Sequence, residues 1–125
     1  MPALNLNAVT LLTTANVAFN SSADTVLYTV PASRRCVLSH AAIVAGADAA
    51  VTTVSIGAAG AETDWLALNT LSNLDAANDV VLVRPIPNTT PLTSKSYAAG
   101  TVIEARVATS AGGATNTFYL FGYLY

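Results

Sequence analysis

The stretch ETDW, residues 62–65, places the chain's one tryptophan beside two acids. On one face of a strand, the carboxylates of Glu62 and Asp64 would lie roughly 6–7 Å apart, since a strand rises about 3.3 Å per residue. Carboxylates at that spacing can serve as the acid and base of an inverting glycosidase, and a tryptophan beside acids can hold a sugar ring. Sugar binding by Glu62, Asp64 and Trp65 is one hypothesis. The alternative is two acids solvating a loop while Trp65 is packed.

Cys36 and His40 are the chain's one cysteine and one histidine, and they stand four positions apart. On a helix that spacing would bring two kinds of zinc ligand together. On a strand the two residues would lie about 13 Å apart, at some 3.3 Å per residue, whereas each ligand of one zinc ion lies about 2.0–2.3 Å from the metal. The flanking Val, Leu and Ile favour a strand, so we predict no metal site here.

No other pattern in the chain supports catalysis or cofactor binding. The glycine-containing stretch GAAGAE has no lysine and is not a phosphate loop. Serines and aspartates are present, but no nucleophile-elbow sequence surrounds a serine. A single histidine excludes metal chemistry of the cupin type, which needs several. We therefore expect no catalytic residue, no metal and no cofactor, and a protein that is not an enzyme.

Turn-forming residues interrupt the chain at short, even intervals, as in NSSAD, PAS, AGAD, PIPN and SAGGATN. The residues between these breaks are rich in Val, Ile, Thr and Tyr, which favour strands. We predict a single all-β domain of eight or nine short strands, an antiparallel two-sheet sandwich with jelly-roll connectivity. The sandwich is expected to span residues 24–125, and residues 1–23 are expected to form an N-terminal arm or a first strand.

Three segments give sharper structural expectations. Residues 101–109, TVIEARVAT, alternate apolar and polar side chains and predict a half-buried strand. Residues 79–84, DVVLVR, are apolar on both faces and predict a strand that is covered on both sides. Residues 65–78, WLALNTLSNLDAAN, have leucines at mixed spacing, and a single helical turn there is the expected exception to the β pattern.

Charge is scarce: the 125 residues include five Lys or Arg against seven Asp or Glu, for a formal net charge of −2. Five cations cannot form the basic surface that nucleic-acid binding requires, so DNA and RNA are not expected partners. Polar residues interrupt every apolar run in the uncharged first 23 residues, which argues against a signal peptide and a membrane-spanning segment. We expect a soluble protein that does not contact a membrane.

The last segment, TFYLFGYLY at residues 117–125, needs cover on both faces. Phe118, Leu120 and Leu124 share one face, and four aromatic side chains share the other. Each such ring can bury about 150–250 Å², so an aromatic face left in water is costly. Either neighbouring loops or the N-terminal segment cover it within the chain, or a second copy of the chain does. The low charge favours the second alternative, a homo-oligomer whose interface includes Tyr119, Phe121, Tyr123 and Tyr125.

The stretch YTVPASRRCVLSHAAIV is extended on both sides of a proline. Pro31 has a fixed φ and no amide donor, so it belongs at a strand end, and it favours extended geometry at Val30. This predicts a corner between two strands. Arg34 and Arg35 follow the corner and would point to opposite faces, so they cannot clamp one anion together. One is expected either at a rim, where it could meet a carboxylate across an interface, or in solvent.

Three pieces of the chain resemble small jelly-roll virion proteins of tailed bacteriophages, which include head decoration, minor capsid and tail-associated accessory proteins. The pieces are VLYTVPASRRCVLSHAAIV, AAGTVIEARVAT and the terminal aromatic strand with its GY pair. The resemblance follows the order and spacing of residues 25–125. Such proteins often have Gly-Lys after the proline corner, where this chain has Ser33 and Arg34, so the basic residue is kept and the glycine is not.

The resemblance implies a non-enzymatic role in the virion. The expected function is that of a capsid decoration (cement) or minor capsid protein, made in the bacterial host cytoplasm. It would bind the major capsid protein at the capsid surface as a homotrimer and stabilise the shell, with residues 1–23 suited to an arm. A tail or fibre accessory protein, and a carbohydrate- or receptor-binding module, are the alternatives. The side chains expected at the oligomer or capsid interface are Phe19, Arg34, Arg35, Tyr119, Phe121, Tyr123 and Tyr125.

Overall fold

A computed structural model describes residues 9–50, 52–85, 94–109 and 115–125, and every regular element in those ranges is a strand. The prediction of an all-β chain with eight or nine strands is confirmed. The helical turn expected within residues 65–78 is not formed, because the chain continues as a strand to Thr70 and then turns. The described residues contain no helix that could cross a membrane. The nine strands are β1 Thr10–Ala18, β2 Ala23–Thr29, β3 Cys36–Val44, β4 Thr53–Ala58, β5 Ala61–Thr70, β6 Val80–Val83, β7 Ser96–Tyr97, β8 Val102–Thr109 and β9 Thr115–Leu124.

The strands form two antiparallel sheets. Sheet I has the order β1-β9-β3-β6, with β7 paired to β3, and sheet II has the order β2-β8-β4-β5. Apart from the two-residue β7, the strands pair from the ends of the chain inwards: β1 with β9, β2 with β8, β3 with β6 and β4 with β5. This is one long antiparallel hairpin folded over into two sheets, which is the connectivity of a jelly roll. The predicted architecture is therefore confirmed.

Apolar side chains at alternate positions of the strands point between the two sheets and form the core. In β8, Ile103 and Ala105 are fully buried and Val107 is 2% exposed, as the TVIEARVAT pattern predicts. In β9, Phe118 and Leu120 fill the same core. Burial of large apolar side chains at about 25 cal/mol per Å² is the main stabilising contribution in such a sandwich.

The N-terminal part of the chain belongs to the sandwich from Thr10 onwards. Strand β1 pairs with β9 along its whole length, and Val17 is fully buried. Phe19 is also fully buried, with its ring edge-on to Phe118 at a centroid distance of 6.1 Å. Of the two alternatives for residues 1–23, the structure has a first strand, and residues 1–8 lie outside the described ranges. The expectation of Phe19 at an interface is wrong, because its ring lies inside the core.

Strand β6 is covered on one side only by the described residues. Val81 and Val83 pack on the core, whereas Val80 is 58% and Leu82 is 73% exposed. The expectation that DVVLVR is covered on both faces is therefore not met by the part of the chain that the structure describes. The reason is that β6 ends the strand order of sheet I, and its outer face is continuous with the outer face of that sheet.

Candidate functional site

The outer face of sheet I is a surface to which four strands contribute. Side chains that are paired across antiparallel strands point to the same face, so the register defines this surface. One row runs across β6, β3, β9 and β1, and a second runs across β3, β9 and β1. We call this surface the sheet I face, and its rows consist of Leu82, Ala42, Tyr119 and Thr14, then His40, Phe121 and Leu11, with Val80 and Val44 beside the first row.

The sheet I face is apolar and carries no formal charge. None of the strands of sheet I contains an aspartate, glutamate, lysine or arginine, whereas the strands of sheet II contain five such residues. Leu11 is 49% and Leu82 is 73% exposed at opposite edges of the face. Monomeric proteins rarely expose contiguous apolar surface of this kind, and where it occurs it marks an interaction site. The charged residues of sheet II are Asp24, Glu62, Asp64, Glu104 and Arg106.

His40 lies at the centre of the sheet I face. Its ring stacks on Phe121 with a centroid distance of 4.6 Å and an interplanar angle of 10°, and Ser39 Oγ lies 3.0 Å from its Nδ1. Cys36 faces the core instead, and burial raises the pKa of its thiol to about 11. A regular strand would place both residues on one face, but the pairing of β3 with β9 has an irregularity between Leu38 and His40, so they point to opposite sides of β3 and do not meet at a zinc ion.

The proline corner and the end of β9 are joined. The amide of Arg34 donates to the carbonyl of Pro31 at 3.4 Å, and Arg35 exchanges two backbone hydrogen bonds with Tyr125, of 2.7 and 3.0 Å. Arg35 Nε donates to Ser96 Oγ, which also lies 2.8 Å from the Tyr125 hydroxyl. Hydrogen bonds from Ser96 and Arg35 lower the pKa of Tyr125. The predicted corner is confirmed, and both arginines precede β3 instead of lying on it.

The predicted interface residues thus fall into three groups. Tyr119, Phe121 and Tyr123 lie half-buried on the outer side of β9, and Tyr123 and Tyr125 have ring centroids 6.2 Å apart. Arg35 joins this group through its contacts with Tyr125, while Arg34 is exposed at the corner. Phe19 lies in the core. Leucine and valine side chains of β6 complete the surface, and the apolar outer positions of DVVLVR were the signal for them.

The three residues of the sugar-binding hypothesis do not form one site. Trp65 is 5% exposed and belongs to the core, so its ring has no open face for a sugar. Glu62 Oε2 lies 3.1 Å from Arg106, and Asp64 accepts a hydrogen bond from the Tyr97 hydroxyl at 2.7 Å. Glu62 therefore pairs with a residue of β8 and Asp64 with a residue of β7. The packed position of Trp65 agrees with the alternative to sugar binding, in which its ring is buried.

Asp64 connects the two sheets. It lies on β5 of sheet II, and Tyr97 lies on β7, beside β3 of sheet I. Asp64 also accepts a hydrogen bond from the amide of Ala58 at 3.1 Å, and its Oδ2 lies 3.5 Å from Lys95 Nζ. Burial, followed by the hydrogen bond to Asp64, raises the pKa of Tyr97. The Tyr97 hydroxyl is therefore a protonated donor that holds the edges of the two sheets together.

Tyr97→Phe is expected to lower the free energy of unfolding by about 1.5–3 kcal/mol, the usual contribution of a hydrogen bond to a charged acceptor. The substitution keeps the buried ring and removes only the donor. Urea unfolding at neutral pH measures the change. Tyr28→Phe is the matched control, because Tyr28 also packs against the core. Equal stability of Tyr97→Phe and wild type would show that Asp64 does not join the sheets.

An acidic cluster lies on the outer face of sheet II. Arg106 Nε and Nη2 bind Asp24 at 2.8 and 3.0 Å, and Nη2 also lies 3.1 Å from Glu62 Oε2. The hydrogen bond from Arg106 lowers the pKa of Asp24. Desolvation, followed by the charges of Asp24 and Glu62, raises the pKa of Glu104. The sequence does not reveal this cluster, because its members lie on three different strands.

No protein-family model and no curated protein matches the chain. The solved structures that are similar in fold include two phage capsids. A chain of the acid-stable capsid of Helicobacter pylori bacteriophage KHP30 has a TM-score of 0.59 and 12% identity, and the alignment covers 91% of this chain and 86% of that one. A chain of the cyanophage Pam1 capsid asymmetric unit has a TM-score of 0.54 and 14% identity, with 98% of this chain and 91% of that one covered. At these identities the likeness establishes a shared fold along nearly the whole chain.

Proposed function

We propose that this protein is a structural component of a bacteriophage particle, a capsid decoration or minor capsid protein that stabilises the shell. The proposal rests on the sheet I face, an apolar surface whose strands contain no charged residue, whereas the strands of sheet II contain five. Depletion of charge together with aromatic side chains is the composition of a protein interface core. The protein acts by burying this face against copies of itself and against neighbouring shell proteins.

The two fold neighbours support this role. Both are chains of phage capsid structures, and the alignments cover 86% and 91% of their lengths, so each is a small protein of nearly this size. A small sandwich that accompanies a shell suits a decoration or minor capsid protein. The sequence resemblance to small jelly-roll virion proteins points in the same direction and supplies the proposed homotrimer.

The proposed role is one of binding and requires no catalytic residue. The packed position of Trp65 gives the carbohydrate-binding alternative no exposed stacking surface. Residues 1–8, MPALNLNA, contain no charged side chain and alternate Leu4, Leu6 and Ala8 with asparagines. We assign to this segment the arm function, addition of a strand to an adjacent subunit.

Binding to shells that lack the protein tests the proposal. Purified chain is mixed with phage shells assembled without it, and the shells are sedimented and then heated. The expected result is saturable cosedimentation and a higher temperature of shell disruption. Binding to isolated tails but not to shells would replace the capsid assignment with the tail alternative. Binding to neither would contradict a role in the particle.

A further inference from the structure

We propose that Asp24, Glu62 and Glu104 bind a calcium ion on the outer face of sheet II. One carboxylate oxygen from each residue lies within 4.8 Å of the other two. Calcium–oxygen distances are about 2.3–2.6 Å, so two ligands on opposite sides of one ion are separated by up to about 5 Å. The three oxygens are therefore close enough to share a single ion without movement of the strands that carry them.

The charge of the cluster favours a divalent cation. Three carboxylates share one guanidinium, because Arg106 pairs with Asp24 and Glu62 among the described residues. Glu62 is also the most buried of the three acids, with its side chain 6% exposed. A buried carboxylate beside like charges is costly unless a cation compensates it. One calcium ion supplies the two positive charges that the cluster lacks.

Ser55 provides an independent indication of a missing ligand. It is fully buried, and its Oγ has no hydrogen-bond partner among the described residues. The β4–β8 register places Ser55 opposite Arg106, and the β2–β8 register places Asp24 opposite Arg106 from the other side. The three side chains therefore form one row on the face that bears the cluster. Buried hydroxyls without a partner are rare and indicate a water or ion, and a water bound to calcium would satisfy this one.

Gly57 allows β5 to approach β4 closely beside Glu104. It lies opposite Glu104 in the β4–β8 pair, where any side chain would occupy the surface between β8 and β5. A Cβ at this position would collide with the carbonyl of Ala61 and the carboxylate of Asp64. The chain thus passes from Glu104 to Glu62 across a position without a side chain. Calcium tolerates such an irregular oxygen shell, whereas magnesium demands near-octahedral geometry at about 2.0–2.1 Å.

Calorimetric titration of the full chain with calcium chloride, with thermal unfolding of the same samples, tests the site. We expect saturable heat and a Tm raised by roughly 5 °C or more at a calcium concentration about 100-fold above Kd. Glu104→Gln should abolish both effects and raise the Tm of the calcium-free chain, which shows that the variant folds. Asp75→Asn, at an exposed turn residue, is the matched control and should bind as wild type does.

Three results would overturn the calcium site. They are no heat and no Tm change in wild type, an unchanged calcium response in Glu104→Gln, and equal loss of binding in Asp75→Asn. Magnesium chloride is titrated in parallel, and an equal magnesium affinity would also contradict the proposed shell. Calcium binding by the isolated chain does not require assembly, so its failure leaves the capsid role standing, and the reverse also holds.

Discussion

Phe19→Ala is expected to lower the free energy of unfolding by about 3–5 kcal/mol, the range for removal of a buried aromatic ring. The Phe19 ring is fully buried and meets Phe118 edge-on at an interplanar angle of 85°. Urea unfolding measures the loss. Leu11→Ala is the control, because Leu11 lies in the neighbouring strand β1 and is 49% exposed. If Phe19→Ala left the stability unchanged and weakened only assembly, Phe19 would be the interface residue that its sequence position suggested.

Two truncations test whether shell binding and folding depend on different parts of the N-terminal segment. Removal of residues 1–8 is expected to leave the far-UV circular dichroism and cooperative unfolding intact, with shell binding reduced. Removal of residues 1–18 also deletes β1 and the buried Val17 and exposes one edge of β9. That chain is expected not to fold cooperatively. If it folded, β1 would not belong to the core as the structure indicates.

Leu82→Glu is expected to convert the proposed homotrimer to monomers. Leu82 is 73% exposed in the single chain, so the carboxylate is readily solvated there. In an interface through the sheet I face the same carboxylate would be buried without a partner, at a cost of several kcal/mol. Since each 1.4 kcal/mol is tenfold in affinity, self-association should weaken by at least about 100-fold. Light scattering at micromolar concentration should then give the 12.8 kDa mass of one chain, instead of the threefold mass that the proposed homotrimer would give.

Leu68→Glu is the matched control for this substitution. Leu68 is 52% exposed and lies on β5 of sheet II, so Leu68→Glu introduces the same charge on the other sheet. It should leave the mass of the assembly unchanged. Equal dissociation by both variants would indicate a general effect of charge, and assembly retained in Leu82→Glu would exclude the sheet I face as the interface.

The strands and their inward faces could be predicted because alternation is local. Ile103, Ala105 and Val107 follow one another at every second position, so three side chains are enough to assign the buried face of β8. The outer face of β9 follows from the same rule. The apolar pattern of DVVLVR indicates an apolar outer face at Leu82, but its continuity with the outer face of β9 depends on β3 pairing with both β6 and β9, which local sequence does not specify. Pairing of distant strands is a property of the whole topology.

The position of Phe19 and the acidic cluster show the same limit. An isolated phenylalanine before NSSAD has the same local pattern whether it faces the core or a partner, and only the pairing of β1 with β9 decides. Asp24, Glu62 and Glu104 are far apart in sequence, so local spacing does not show that they lie together. The pairing of β8 with β2 and β4, together with that of β4 with β5, brings these acids together.

A map of the intact particle by electron cryo-microscopy, at side-chain resolution, would show which sheet of the sandwich contacts other proteins. It should show protein density packed against Leu82, Tyr119 and Phe121, with the outer face of sheet II turned to solvent. A map in which those three side chains face solvent while sheet II contacts the shell would exclude the sheet I face as the contact surface.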